Sequence, residues 1–154
     1  MKKLLFISNV CKKISNFHLV SLKEATKMEY EFHFAANFSE MSMKEREKYP
    51  DIIFHHIDFV RFPFHPANIK AYRQLISLVK DEKIDAIHCN TPIGGALGRI
   101  CGRRCHINTV IYTAHGFHFY KGAPLFNRTI LKWAETMMAH WTDAIITMNQ
   151  EDYR

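Results

Sequence analysis

Short apolar runs alternate along this chain with longer segments of helical periodicity, and this alternation constrains the fold more than any other feature. Runs of strand length predict β-strands, and apolar residues that recur every three to four positions predict helices. Strands separated by helices are typical of right-handed βαβ units. The sequence therefore predicts an α/β fold with a doubly wound, mostly parallel sheet. The predicted strands cover residues 3–8, 30–36, 52–57, 84–89, 108–113 and 144–148.

Four helices and one charged stretch are predicted between these strands. Two of the helices cover residues 17–27 and 93–105, and the charged residues 39–48 predict a loop or a short helix. The other two helices are predicted from apolar stripes, the second of which follows Pro124. One stripe consists of Ile69, Tyr72, Ile76 and Val79, and the other of Phe126, Ile130, Ala134, Met137 and Trp141.

The composition indicates one globular domain. The chain has 154 residues, of which 47% are hydrophobic, which is enough for a core and too apolar for a disordered chain. The net charge of +6 favours anionic partners such as phosphorylated metabolites, lipid surfaces or nucleic acid. The four cysteines show no disulfide framework, and the first apolar run is too short for a secretory signal, so we expect a cytoplasmic protein. The chain stops where another helix is expected, which indicates a fragment.

All six glycines follow residue 90 and flank the ends of the fourth and fifth predicted strands. In a doubly wound sheet, ligands bind outside the carboxyl ends of the strands. Thr91 can cap the helix that begins there, and Gly94 and Gly95 allow a ligand or another backbone to approach free N–H groups. A helix N-terminus of this kind attracts anions. Close packing of the helix on the sheet is the alternative explanation for the two glycines, and both stay open here.

Residues 113–122 form the second candidate segment, directly after the fifth predicted strand. They include two histidines, three aromatic residues and a lysine. A single histidine is most often structural, but two histidines in one glycine-flanked loop favour a site. The candidate site residues in this segment are His115, Gly116, His118 and Lys121.

Several other kinds of site fit the sequence less well. Cys101 and Cys105 share a helix face close to His106, but the paired Cys-x-x-Cys spacing of zinc sites is missing, and no metal site is predicted. The first turn has no glycine, and Asn37 replaces the acidic residue of a dinucleotide fingerprint. The sequence also lacks a phosphate-binding G-x-x-x-x-G-K-[ST] loop and the G-x-S-x-G elbow of serine hydrolases.

Basic residues on one helix raise two further hypotheses. Arg99, Arg103 and Arg104 predict a solvated basic face, and no nucleic-acid motif accompanies them. Contact with an anionic membrane is the other hypothesis. The surface for that contact would combine this basic face with Lys12, Lys13, Phe17 and the helix near 133–141.

Three segments together resemble the family-4 retaining glycosyltransferases that build bacterial capsule and exopolysaccharide. Residues 110–124, VIYTAHGFHFYKGAP, are similar to a long signature of that family. Residues 87–95, IHCNTPIGG, are similar to a second motif, with Asn90 where the family often has histidine. Residues 141–153 resemble a third motif.

The resemblance implies a GT-B enzyme, in which two Rossmann-like domains face each other across a cleft. Residues 1–154 would be the N-terminal, acceptor-side domain, without the C-terminal nucleotide-binding domain. The full-length enzyme would transfer a sugar from a nucleotide-sugar donor, with retention, to a polyprenyl-diphosphate-linked acceptor in cell-surface polysaccharide synthesis. This fragment alone is expected to be inactive. No metal or other cofactor is expected, and contact with the inner face of the cell membrane would be peripheral.

The resemblance also assigns roles by position. His115 would face the transferred sugar and help to place it, and Gly116 would give the backbone room beside it. The remaining residues would bind substrate, in the cleft or at the acceptor and its phosphates: Thr91, Gly94, Gly95, His118 and Lys121. The alternative function is a stand-alone Rossmann-like module that binds a phosphorylated ligand without catalysis. A metal-dependent enzyme is a third hypothesis.

Overall fold

Six strands form one sheet in a computed structural model that describes residues 1–115, 125 and 127–148. The strands are β1 (Lys2–Val10), β2 (Tyr30–Asn37), β3 (Ile52–His56), β4 (Ala86–Asn90), β5 (Thr109–Ala114) and β6 (Ala144–Thr147). Their order is β3-β2-β1-β4-β5-β6, and every neighbouring pair is parallel. The predicted doubly wound α/β fold is thereby confirmed.

Helices cover both faces of this sheet. They are α1 (Asn16–Lys27), α2 (Met43–Glu47), α3 (Ala67–Asp81), α4 (Pro92–Arg104) and α5 (Lys132–Ala139), with a π-helical turn at Asn127–Leu131 before α5. The charged stretch at 39–48 thus holds a short helix, α2. Of the helices that the structure describes, none is long and apolar enough to cross a membrane.

Alternate residues of the central strand β1 supply two separate cores. Leu5 and Ile7 pack with α3 and α4 on one face, and Phe6 packs with α1 on the other. All three side chains are completely buried. The continuous apolar run at the start of the chain is therefore explained by a strand that is buried on both faces, as parallel sheets require.

The core face of α3 differs from the predicted stripe. Ala71, Leu75 and Val79 are buried against the sheet, whereas Ile69 is 60% exposed. The small side chain of Ala71 lets the helix approach the sheet on this side, and Ile69 is left on the opposite side. The prediction that Ile69 lies on the core face was wrong, and an apolar side chain remains at the surface.

The last helix also departs from its predicted stripe. Ile130 is exposed and Met138 is buried, while Phe126 lies outside the described residues. A π-helical turn inserts an extra residue into the helical repeat, so the face of the helix changes after it. A stripe with a constant period from 126 to 141 therefore cannot stay on one side.

Candidate functional site

The carboxyl ends of β1, β4 and β5 lie side by side at one edge of the sheet. Ile7 of β1 is in register with Cys89 of β4, and Asn90 of β4 is in register with Thr113 of β5. Thr91 and His115 directly follow β4 and β5. Thr91 and His115, from the two segments that the glycine distribution singled out, therefore both lie at the edge where ligands bind in this fold.

His115 is exposed at this edge. Its ring meets the ring of Phe17, at the start of α1, edge to face, with 5.1 Å between the centroids and an angle of 82°. The contact supports one side of the imidazole and leaves the residue open to solvent. His115 is thus placed to reach a ligand rather than to fill the core.

Two further histidines, which the sequence did not single out, lie close to His115, and the rings of all three contact Phe17. His88 of β4 contacts the ring of Phe6, and its Nε2 lies 2.8 Å from the hydroxyl of Thr113. His18 of α1 accepts a hydrogen bond at Nδ1 from the N–H of Ser15, 3.0 Å away. Burial, and secondly the nearby His115, lower the pKa of both histidines to about 4. Both are therefore neutral at physiological pH.

The segment between β4 and α4 is held in a tight conformation. Thr91 has a positive φ of 65°, which is uncommon for a residue with a side chain, and its carbonyl accepts the N–H of Gly95 at 2.7 Å. A Cβ atom at Gly94 would lie 3.1 Å from the carbonyl carbon of Ser8. Glycine at position 94 thus lets the first turn of α4 approach the end of β1. Within the described residues, the buried Thr91 Oγ1 has no hydrogen-bond partner.

The other glycines of α4 serve close packing on the sheet. A Cβ atom at Gly95 would overlap the ring of Tyr112, one at Gly98 would lie 2.7 Å from Cβ of Cys89, and one at Gly102 would lie 2.7 Å from Cγ2 of Val110. Packing therefore accounts for Gly95 at least in part.

The sequence prediction also failed at Arg99. The sequence predicts Arg99 on a solvated basic face, but in the structure its side chain is completely buried. Its two terminal nitrogens bind the carboxylate of Glu135 on α5 at 2.9 and 3.0 Å, and its Nε donates to the carbonyl of Gly95 at 3.0 Å. The guanidinium also lies 3.9 Å above the ring of Tyr112. An arginine can be buried this way because each of its three side-chain nitrogens donates a hydrogen bond and its charge is paired.

Asn90 has a structural role beneath the site. Its Nδ2 donates to the carbonyl of Ile7 at 3.1 Å, and its Oδ1 lies 3.4 Å from the hydroxyl of Ser8. The side chain is 2% exposed and joins β4 to β1. A residue in this position fixes the strand ends that carry the site.

Three predicted site residues, Gly116, His118 and Lys121, lie outside the described residues. Cys101, which was considered as a zinc ligand, is buried in the core, and burial raises the pKa of its thiol. Across residues 1–115, 125 and 127–148, no three histidine, cysteine or acidic side chains are grouped as a metal site requires.

Comparison with known proteins identifies relatives of this arrangement. A family model described as glycosyl transferase 4-like matches residues 3–149. The "Putative glycosyltransferase EpsD" of Bacillus subtilis (strain 168) is 40% identical over 154 residues, which cover 99% of this chain and 39% of EpsD. An Escherichia coli protein, UDP-Gal:alpha-D-GlcNAc-diphosphoundecaprenol alpha-1,3-galactosyltransferase, is 33% identical over 85 residues, which cover 55% of this chain and 22% of that protein. The chain spans well under half the length of either relative.

Solved structures show the same fold at low identity. MurG of Acinetobacter baumannii superposes with a TM-score of 0.62 at 15% identity, over 96% of this chain and 40% of MurG. MnaA of S. aureus, solved with UDP, superposes with a TM-score of 0.59 at 12% identity, over 96% of this chain and 38% of MnaA. The architecture of the chain thus recurs as one part of larger proteins.

Proposed function

Because the chain belongs to the glycosyl transferase 4-like family, we propose that it is the acceptor-side half of a glycosyltransferase. The full-length enzyme would transfer a sugar from a nucleotide-sugar donor, with retention, to a lipid-linked acceptor in cell-surface polysaccharide synthesis. The chain covers 39% of EpsD, and we place the donor-binding half in the part that it does not cover. On this proposal the 154-residue chain alone does not catalyse transfer.

The exposed position of His115 carries this proposal. It stands where three parallel strands end, supported by Phe17 and above two histidines that are neutral. The imidazole of His115 is polar and accessible to solvent, and it packs against the ring of Phe17. Such a side chain can position a sugar, because a supported side chain holds its geometry when the ligand binds. Gly116, the next residue, would leave room for the sugar.

The first turn of α4 would contribute to phosphate binding. The first N–H groups of a helix have no partner within the helix and favour negative charge. Within the turn that the Gly95 N–H closes onto the Thr91 carbonyl, the N–H of Gly94 would present such a group toward the cleft, close to the end of β1. His118 and Lys121 would add hydrogen-bond donors for the acceptor or its phosphates.

The reaction needs little covalent chemistry from the protein. The bond between the anomeric carbon and the diphosphate oxygen breaks, and the acceptor hydroxyl forms the new glycosidic bond while its proton passes to the departing phosphate. Preorganised donors that stabilise the departing diphosphate are then the main contribution to the rate. No metal or other cofactor is included in this proposal.

The acceptor class is proposed from a relative and from charge. The name of the E. coli relative specifies a diphosphoundecaprenol-linked substrate. A net charge of +6 favours both a diphosphate-linked acceptor and peripheral contact with the anionic inner face of the cell membrane. We propose both for the full-length enzyme.

Substitution of His115 tests the function. In the full-length enzyme, His115→Ala should lower turnover about a hundredfold or more, because loss of one preorganised transition-state contact typically has that effect. Turnover is measured with nucleotide sugars and a lipid-linked acceptor, and the thermal unfolding midpoint should not change. His140→Ala, at an exposed histidine after α5, is the matched control and should retain full activity. Near-normal turnover in His115→Ala would remove this residue from the site.

A further inference from the structure

His18, in the first turn of α1, is a histidine beside the candidate site to which the proposed function assigns no role. The ring of Phe6 contacts its imidazole with 5.6 Å between the centroids, and the same ring contacts His88 at 5.1 Å. His115 lies close enough to lower the pKa of both histidines. His18 therefore belongs to the immediate surroundings of His115, although it lies on a different element.

The Nδ1 atom of His18 is occupied by the residue that precedes α1. It accepts the backbone N–H of Ser15 at 3.0 Å, and the hydroxyl of Ser15 lies 3.1 Å from the same nitrogen. A backbone N–H can only donate, so Nδ1 is the acceptor nitrogen of the ring. A neutral imidazole carries one hydrogen, which in His18 then lies on Nε2. The local fold thereby sets the tautomer.

Aromatic rings hold this imidazole in one orientation. Phe6 of β1 meets it edge to face at 89°, and Phe34 of β2 lies 5.0 Å away at an angle of 43°. Both phenylalanine side chains are completely buried. Together with the hydrogen bond from Ser15, these contacts leave the ring little freedom to turn. The direction of the Nε2–H bond is therefore fixed by the fold, and little side-chain entropy is lost when it binds a ligand.

The same surroundings keep the imidazole uncharged. Burial lowers the pKa of His18 to about 4, and His115 acts in the same direction. Among the described residues, no carboxylate opposes this shift. At neutral pH the ring therefore offers a ligand one N–H donor, no free lone pair and no charge.

The Nε2–H group has no hydrogen-bond partner within residues 1–115, 125 and 127–148, and the residue is partly exposed. A donor with limited access to water is costly to leave unpaired, and a ligand oxygen can pair with it. Capping of α1 is the alternative explanation for this histidine. Capping accounts for the bond at Nδ1, but it does not use the hydrogen on Nε2.

We propose that His18 is a substrate-binding residue, whose Nε2–H donates a hydrogen bond to a hydroxyl oxygen of the sugar held beside His115. The proposal rests on the proposed function, in which His115 places that sugar. A sugar hydroxyl is uncharged and accepts an N–H through an oxygen lone pair, which matches what the ring offers. A phosphate oxygen matches it less well, because charged donors bind phosphate about twice as strongly as neutral ones and His18 is uncharged.

Two substitutions of His18 separate binding from capping. The side-chain oxygen of asparagine reaches the place of Nδ1, and the side-chain nitrogen of glutamine reaches the place of Nε2. His18→Asn therefore keeps the acceptor for Ser15 and removes the donor, whereas His18→Gln does the reverse. In the full-length enzyme, His18→Asn should raise the KM of the nucleotide sugar or of the lipid-linked acceptor by about tenfold or more, with kcat within about threefold. His18→Gln should keep both KM values within about threefold of those of the unaltered enzyme.

Thermal unfolding of the same variants should give the opposite order. His18→Asn should keep the unfolding midpoint, and His18→Gln should lower it, because only the second variant loses the cap. His140→Asn, at an exposed histidine after α5, is the matched control and should change neither KM nor the midpoint. The proposal is wrong if His18→Asn has normal KM values for both substrates, or if His18→Gln raises KM as much as His18→Asn does.

Nitrogen NMR of the histidine rings in the 154-residue chain tests the proposal without a transferase assay. At pH 7, His18 should be neutral with its hydrogen on Nε2. The probes are glucose, galactose and N-acetylglucosamine, at least one of which should shift the Nε2 resonance, and inorganic pyrophosphate, which should not. A hydrogen on Nδ1, no shift with any of the sugars, or a larger shift with pyrophosphate would overturn the proposal. An inactive full-length enzyme whose His18 still responds to a sugar would overturn only the proposed function.

Discussion

At the scale of single residues, the partly buried histidines His18 and His88 link the stability of the fold to pH near the candidate site. Their pKa is lowered to about 4, mainly by burial, whereas an unfolded chain has histidine pKa values near 6.5. Between these values the unfolded chain binds protons that the folded chain does not. The stability contributed by neutral His18 and His88 is therefore complete above about pH 6.5 and is lost as the pH falls toward 4.

We expect His18 and His88 each to lower the free energy of unfolding by roughly 3 kcal/mol between pH 7 and pH 4. Urea unfolding followed at several pH values measures this. In His88→Gln the loss over this interval should be smaller than in the unaltered chain by roughly 3 kcal/mol, while His140→Gln, at an exposed position, should match the unaltered chain. A His88→Gln variant with an unchanged pH dependence would contradict the assignment. Carboxylates titrate mainly at the lower end of this interval, and their contribution is common to all three proteins.

At the scale of secondary-structure elements, periodicity predicted which segments are strands and helices, because apolar spacing reflects the backbone geometry directly. It could not predict how each helix is rotated about its axis. The core face of α3 includes Ala71 and leaves Ile69 exposed, and a π-helical turn shifts the helical repeat before α5. The burial of Arg99 could not be predicted from the sequence either, because its partner Glu135 is 36 positions away along the chain. The placement of the two candidate segments at one edge of the sheet was predictable, because glycine and histidine cluster after two adjacent strands.

The pair of Arg99 and Glu135 should hold α4 and α5 together. Glu135→Ala should cost roughly 3 kcal/mol of unfolding free energy, because it leaves a buried guanidinium without its carboxylate. The double variant Arg99→Met/Glu135→Leu should cost less than the sum of the two single changes, since no unpaired charge remains. Urea unfolding of Arg99→Met, Glu135→Leu and the double variant gives this comparison, and Glu135→Ala is measured in the same way.

Arg104→Met is the matched control for that pair, because it removes an exposed arginine from the same helix. It should change stability by no more than about 0.5 kcal/mol. Strictly additive costs for Arg99→Met and Glu135→Leu would show that the two side chains are not energetically coupled.

At the scale of the whole molecule, the two faces of the sheet are unequally covered. The face under α3 and α4 includes Ile87 and Cys89, which are completely buried. On the other face, an apolar groove of about 300 Å³ runs between α1 and strands β4 to β6. Ile146, at the side of this groove, is 46% exposed. Parallel sheets are usually buried on both faces, so this groove is an apolar surface that the described part of the chain leaves open.

An open apolar groove should bind an environment-sensitive dye such as anilinonaphthalene sulfonate. We expect fluorescence from the folded chain, and we expect Ile146→Asp to reduce it several-fold, because a carboxylate at the side of the groove opposes both burial and the sulfonate. Met43→Asp, at an exposed methionine on α2, adds the same charge away from the groove and should have little effect. Because the net charge changes equally in both variants, a difference between them isolates the groove from general electrostatics. An equal reduction in both would assign the dye signal to overall charge, and the uneven covering of the sheet would then have no consequence for apolar binding.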